Sequence, residues 1–99
     1  MGTRLQLHSL FEGITPNVYF QPPPGLSLEY PCIVYRRDTA DTIHADNAPY
    51  SITKRYLVTV MDRNPDSAIP DGVAALPWCI HNRYYAKNQL NHDVYMLYF

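Results

Sequence analysis

The run from Tyr50 to Asp62 constrains the fold more than any other part of the chain. Its even positions Tyr50, Ile52, Tyr56, Val58 and Val60 are apolar, interrupted only by Lys54. Ser51, Thr53, Arg55 and Thr59 fall on the alternate positions. A period of two describes an extended strand with one buried face and one available face. Such a strand needs neighbours to satisfy its backbone and a second layer to cover its apolar side.

The rest of the chain supplies both. Pro31 precedes Cys32-Ile33-Val34-Tyr35-Arg36-Arg37, a β-branched and aromatic run that reads as a second strand. Asn17 to Gln21 is a shorter one, stopped by Pro22-Pro23-Pro24-Gly25. Three prolines remove three backbone donors, so that segment crosses the surface outside any ladder. Trp78 to Ala86 and Leu90 to Phe99 read as two further strands, joined by the short turn Lys87-Asn88-Gln89.

Leu7, Leu10, Phe11 and Ile14 are spaced i, i+3, i+4, i+7, which predicts a helix over residues 4–12, ended by Gly13 and Pro16. Ile69, Val73 and Leu76 predict a second helix after the turn cluster Asp62 to Ser67, with Asp66 or Ser67 as its cap and Pro77 as its stop. Gly72 weakens that helix by about 1 kcal/mol relative to alanine, so packing has to hold it. The expected class is α+β: a mainly antiparallel sheet with two short helices on one face, in a single domain over residues 1–99. A chain of 99 residues buries roughly two thirds of its unfolded surface, enough for one core.

Charge argues about partners. Charged residues make up 17% of the chain, below the ~25% of an average domain, so part of the surface is expected to be covered. Nine tyrosines suit either an interface or half-buried strands. The formal net charge is −1 and the basic residues are scattered, which gives no electrostatic case for specific nucleic-acid binding. No apolar run approaches the ~18 residues of a membrane span. Met1 to Gly13 lacks the pattern of a secretory signal. Cys32 and Cys79 read as buried thiols, with a disulfide as the alternative.

A search for reactive groups finds little. His8, His44, His81 and His92 form no i, i+4 pair, and no CxxC motif is present. Cys79 and His81 share a strand face, but no third group orients the histidine. The glycines are isolated, so no phosphate-binding loop is formed. No catalytic residue, metal site or cofactor is expected. The segment Asp38 to Pro49 has three aspartates and no lysine or arginine. It is either a long hairpin loop or a twisted extension of the flanking strands. Its acids either solvate a tip or line a passage through which DNA slides without sticking.

Two further observations sharpen the reading. The pair Asn17-Val18-Tyr19-Phe20-Gln21-Pro22-Pro23 and Tyr30-Pro31-Cys32-Ile33-Val34-Tyr35 recurs with Tyr50 to Asp62, Asp62-Arg63-Asn64-Pro65-Asp66-Ser67-Ala68-Ile69-Pro70 and the ending Leu90 to Phe99. Together these motifs resemble the tail terminators of long-tailed bacteriophages, also called tail-to-head joining or tail completion proteins, over almost the whole chain. The resemblance implies a virion protein without enzymatic activity, at the tail–head junction after assembly in the host cytoplasm. It implies a homo-oligomer, a hexameric ring that caps the tail tube, stops its polymerisation and meets the head connector protein. Genomic DNA would pass through the lumen without specific binding.

Within such a ring, Arg36, Arg37, Arg55 and Asp62 are the candidate ion-pairing contacts between subunits. Tyr95, Leu97 and Phe99 are the candidate apolar ones, because the last strand is apolar on both sides and so must be central or covered by a neighbour. Asp38, Asp41 and Asp46 would face the lumen. A head-completion protein of the same neck is the alternative.

Overall fold

A computed structural model describes residues 3–45 and 48–99, and for 39–45 and 48–53 the backbone alone. The elements in order are α1 (Arg4–Glu12), β1 (Val18–Phe20), β2 (Cys32–Ala45), β3 (Ala48–Asp62), α2 (Ile69–Ala74), β4 (Cys79–Lys87) and β5 (Leu90–Tyr98). They build one five-stranded sheet in the order β1-β2-β3-β5-β4. Every pairing is antiparallel except β1 with β2. This is the α+β fold that the alternation demanded.

Alternation sets the core. Ile33 and Tyr35 of β2, Tyr56, Val58 and Val60 of β3, and Tyr95 and Leu97 of β5 lie on one face. Leu7 and Phe11 of α1 and Val73 of α2 close over them, so both helices cover the same side. Leu10 departs from the expected helical face and is exposed. The face turned to the sheet runs through Arg4, Leu7, His8 and Phe11, spaced i, i+3, i+4, i+7, and Leu10 falls outside it.

Local chemistry fixes each end. Thr3 accepts from Gln6 N at 3.2 Å while the Gln6 side chain accepts from Thr3 N at 2.9 Å, a reciprocal cap that satisfies two free donors of α1. Thr3→Ala is expected to lower stability by about 1 kcal/mol, measured as a drop in urea midpoint; an unchanged midpoint would show that the cap adds nothing. The second helix has no side-chain cap at its N-cap residue, which is Ala68 in place of the expected Asp66 or Ser67. Ser67 Oγ accepts from Ile69 N at 3.2 Å, whereas Asp66 lies in successive turns in which Asp62 and Asn64 side chains accept backbone N–H groups. Gly72 has a packing reason: a Cβ there would lie 3.2 Å from Ile14 Cγ2, so glycine lets Ile14 sit against the helix.

The β4–β5 hairpin turns on Asn88 and Gln89, both at positive φ (53° and 64°). That is the primed two-residue turn whose twist matches its strands. Gln89→Gly removes the side-chain penalty at this φ and should raise stability by about 1 kcal/mol, read as a higher melting temperature. A lower melting temperature would mean that the Gln89 side chain stabilises the turn.

The segment from Asp38 to Pro49 is resolved in favour of strand extension, since β2 and β3 pair as far as Ala45 and Ala48. β5 pairs with β3 only from Arg55 to Asp62. Beyond that level β2 and β3 continue as a two-stranded ribbon, and the molecule is drawn out to 50 × 25 × 23 Å.

Candidate interaction surface

The place of β5 decides what is exposed. It lies between β3 and β4, so its two apolar faces are explained by a central position, one of the two options its sequence allowed. Tyr95 and Leu97 are therefore core residues, 3% and 0% exposed, and are corrected here as subunit contacts. Tyr95 also donates from its hydroxyl to Pro70 O at 3.2 Å, tying β5 to α2. Phe99 packs half-buried against the same core.

The charged candidates divide. Arg55 Nε lies 3.0 Å from Asp38 Oδ2, so the arginine and the first acid of the ribbon neutralise each other within one chain. Both side chains are partly exposed, so solvent screens the pair and it contributes little to stability. Asp62 accepts from Asn64 N at 2.9 Å and closes a turn. Arg36 and Arg37 are exposed. They line a shallow depression of about 460 Å³ with Gln21, Pro22, Val34 and Tyr35. Asp41 occupies a β2 position opposite Thr53, its side chain outside the described part, as is that of His44. Asp46 lies outside the described residues altogether.

Sequence reasoning passed over β4. It is an edge strand, and every residue from Ile80 to Lys87 is exposed. Trp78, Ile80 and Tyr84 are 78%, 54% and 54% exposed. Trp78 holds φ 62°, a conformation a bulky side chain avoids, and Tyr98 N donates to its carbonyl at 3.1 Å. A large aromatic held out of its preferred conformation and into solvent marks a contact surface more often than a structural need. The signal was present in the sequence: a last strand apolar on both faces requires two neighbours, which pushes its hairpin partner to the edge.

On the sheet face away from the helices, Leu57 stands opposite Met96, Thr59 opposite Val94 and Met61 opposite His92. At its β4 end Tyr85 stacks on His92 with ring centroids 4.5 Å apart. Arg83 lies over Tyr85 at 5.6 Å, which orders this corner through ring stacking and cation–π attraction.

The cysteines lie far apart. Cys32 and Cys79 are separated by β3 and β5, about 14 Å across the sheet, too far for a disulfide; both are free. Burial pushes the Cys79 thiol up to about 11. Burial, and then the charge of Asp62, push Cys32 up to about 11. These shifts oppose the thiolate that a nucleophile requires. His81 Nε2 lies 3.3 Å from Asp93 Oδ1 on the surface.

Among the described residues no group of three or more metal-ligating side chains converges. No helix among them is long and apolar enough to cross a membrane. The most connected polar group is the Tyr35 hydroxyl, 2.7 Å from His8 Nδ1 and accepting from Arg4 Nη1 at 3.4 Å.

These buried acids give a pH dependence. Burial also pushes Tyr95 up to about 12 and raises Tyr35. Each group holds its proton more tightly folded than unfolded, so its contribution is complete below the ordinary thiol and phenol range. It is lost as pH rises through the folded values. Stability should be flat to about pH 8.5 and then fall, and Cys79→Ala should flatten part of that fall. A pH-independent urea midpoint up to pH 11 would contradict the burial of these groups. Comparison with family models, curated proteins and solved structures finds no match for this chain.

Proposed function

We propose that this chain is a structural ring subunit of the tail-terminator kind, which caps a phage tail tube, ends its polymerisation and joins it to the head connector. The observation that carries the proposal is a sheet that, among the described residues, is open at two opposite edges, one of them bordered by exposed aromatics. Open edges on opposite sides suit a heterologous contact, in which each subunit uses two different patches and the ring closes after a fixed rotation. The motif resemblance over Asn17 to Tyr35, Tyr50 to Pro70 and Leu90 to Phe99 supplies the location in the virion. In this reading the protein acts by geometry, without substrate or cofactor, and DNA moves through the ring without specific binding.

The test is native mass of the full chain alone and with tail tubes, together with the phenotype of lysates lacking it. A closed ring and overlong tails are expected. Normal tails beside unjoined heads would move the protein to the head side of the neck. A strict monomer at high concentration, with no ring on tail tubes, would overturn the proposal.

A further inference from the structure

We infer that the outer edge of β4 is the docking strand for a second copy of this chain, whose β2 pairs with it antiparallel between residues 38 and 45. The inference rests on the ring reading and names the contact that would build the ring.

Backbone chemistry comes first. An edge strand presents a row of N–H and C=O groups that another strand satisfies most completely. β4 is nine residues long. It carries a register shift at Asn82, between His81 and Arg83, but no proline that would block pairing. On the opposite edge, β1 pairs with β2 only at Ile33, Val34 and Tyr35. Gln21 extends this cover by one residue, donating to Tyr35 O at 2.9 Å and accepting from Arg37 N at 3.2 Å. Among the described residues, the outer edge of β2 from 38 to 45 has no further strand beside it. The two uncovered edges are of comparable length.

Strand direction fits. β1, β2 and β5 run one way, β3 and β4 the other. Copies related by rotation about a ring axis to which the strands are inclined keep these senses, so β4 meets the neighbour's β2 antiparallel. The free part of β2 lies past the level of Arg55, where β5 ends, whereas β4 runs beside β5 from Leu97 to Leu90. Neighbours are therefore staggered along the strands. A sheet that closes on itself requires such a stagger, with tilted strands.

Charge selects this pairing over the alternative. β4 carries Arg83 and Lys87 and no acid, while residues 39–45 carry Asp41 and no lysine or arginine, Asp38 being already paired with Arg55. Arg36 and Arg37 belong to the stretch that β1 and Gln21 already flank. Pairing of β4 with another β4 would bring like charges together, which is unfavourable directly across a ladder. Trp78, exposed and at positive φ just before β4, is placed to cover the end of the new ladder.

The experiment uses the full chain. Hydrogen exchange is compared between dilute monomer and assembled ring, and assembly is measured for Arg83→Glu/Lys87→Glu and for the same pair combined with Asp41→Lys. Amides in 79–87 and 38–45 are expected to gain protection together. The double reversal should lower the assembled fraction about tenfold or more and lower the monomer's melting temperature only slightly, because both side chains are exposed and Arg83 loses only its contact over Tyr85. Adding Asp41→Lys should restore part of the loss. A ring that forms with unprotected β4 amides, or a double reversal that assembles normally, overturns this contact and leaves the ring reading standing. A wild-type chain that never forms a ring overturns both.

Discussion

Truncating Tyr35 to alanine is expected to remove about 3–5 kcal/mol of stability, a large part of what holds a domain of this size folded. The ring is fully buried and meets four others: Phe11 at 5.1 Å, Phe20 at 4.9 Å, Tyr56 at 6.0 Å and His8 at 5.7 Å between centroids. It joins α1 to β1, β2 and β3, so its loss opens a cavity that no single neighbour can fill. Tyr35→Phe keeps the ring and removes the hydroxyl shared with His8 and Arg4. It should cost about 1 kcal/mol. Chemical denaturation of both variants separates the contributions. Equal losses would place the stability in the polar network, and a small loss in Tyr35→Ala would contradict the packing described.

Leu97→Ala carries the second large effect. As a core residue between β3 and β4 it should lose about 2–5 kcal/mol, whereas Trp78→Ala should change monomer stability by less than about 0.5 kcal/mol. The pair tests the correction made to the last strand. If Leu97 were a subunit contact, its truncation would weaken assembly and leave the monomer's denaturation midpoint unchanged. The core position predicts the reverse order: the monomer fails first, and any defect in assembly follows from that. Trp78→Ala should weaken assembly while the monomer melts normally.

Most of the secondary structure was legible because it depends on local pattern. The Arg4–Glu12 helix, its stop at Gly13 and the Tyr56–Val58–Val60 face follow from spacing that neighbours did not override. The hairpin at Asn88-Gln89 follows from a short polar turn between two apolar runs. The second helix was less predictable at its start, since Asp62 and Asn64 compete for the backbone donors of the preceding turn. The candidate contacts were legible only in part. Arg55 was recognised as an ion-pairing residue, yet its partner Asp38 lies across the β2–β3 ladder of the same chain. Spacing along the sequence does not tell an internal pair from one between subunits.

By itself the sequence determined that this chain makes a one-sided sheet covered by two short helices, because period two and period 3.6 are properties of consecutive residues. It also determined that the reactive residue types lack any motif of known spacing. Only the tertiary structure decided strand order. With β5 inserted between β3 and β4, Tyr95 and Leu97 moved into the core, and Ile80, Tyr84 and the preceding Trp78 moved to the outside. Strand order is set by which faces bury together across the whole sheet. That sum over distant residues is not carried by any one segment, and it turned an apparently ordinary strand into an edge exposed from Ile80 to Lys87.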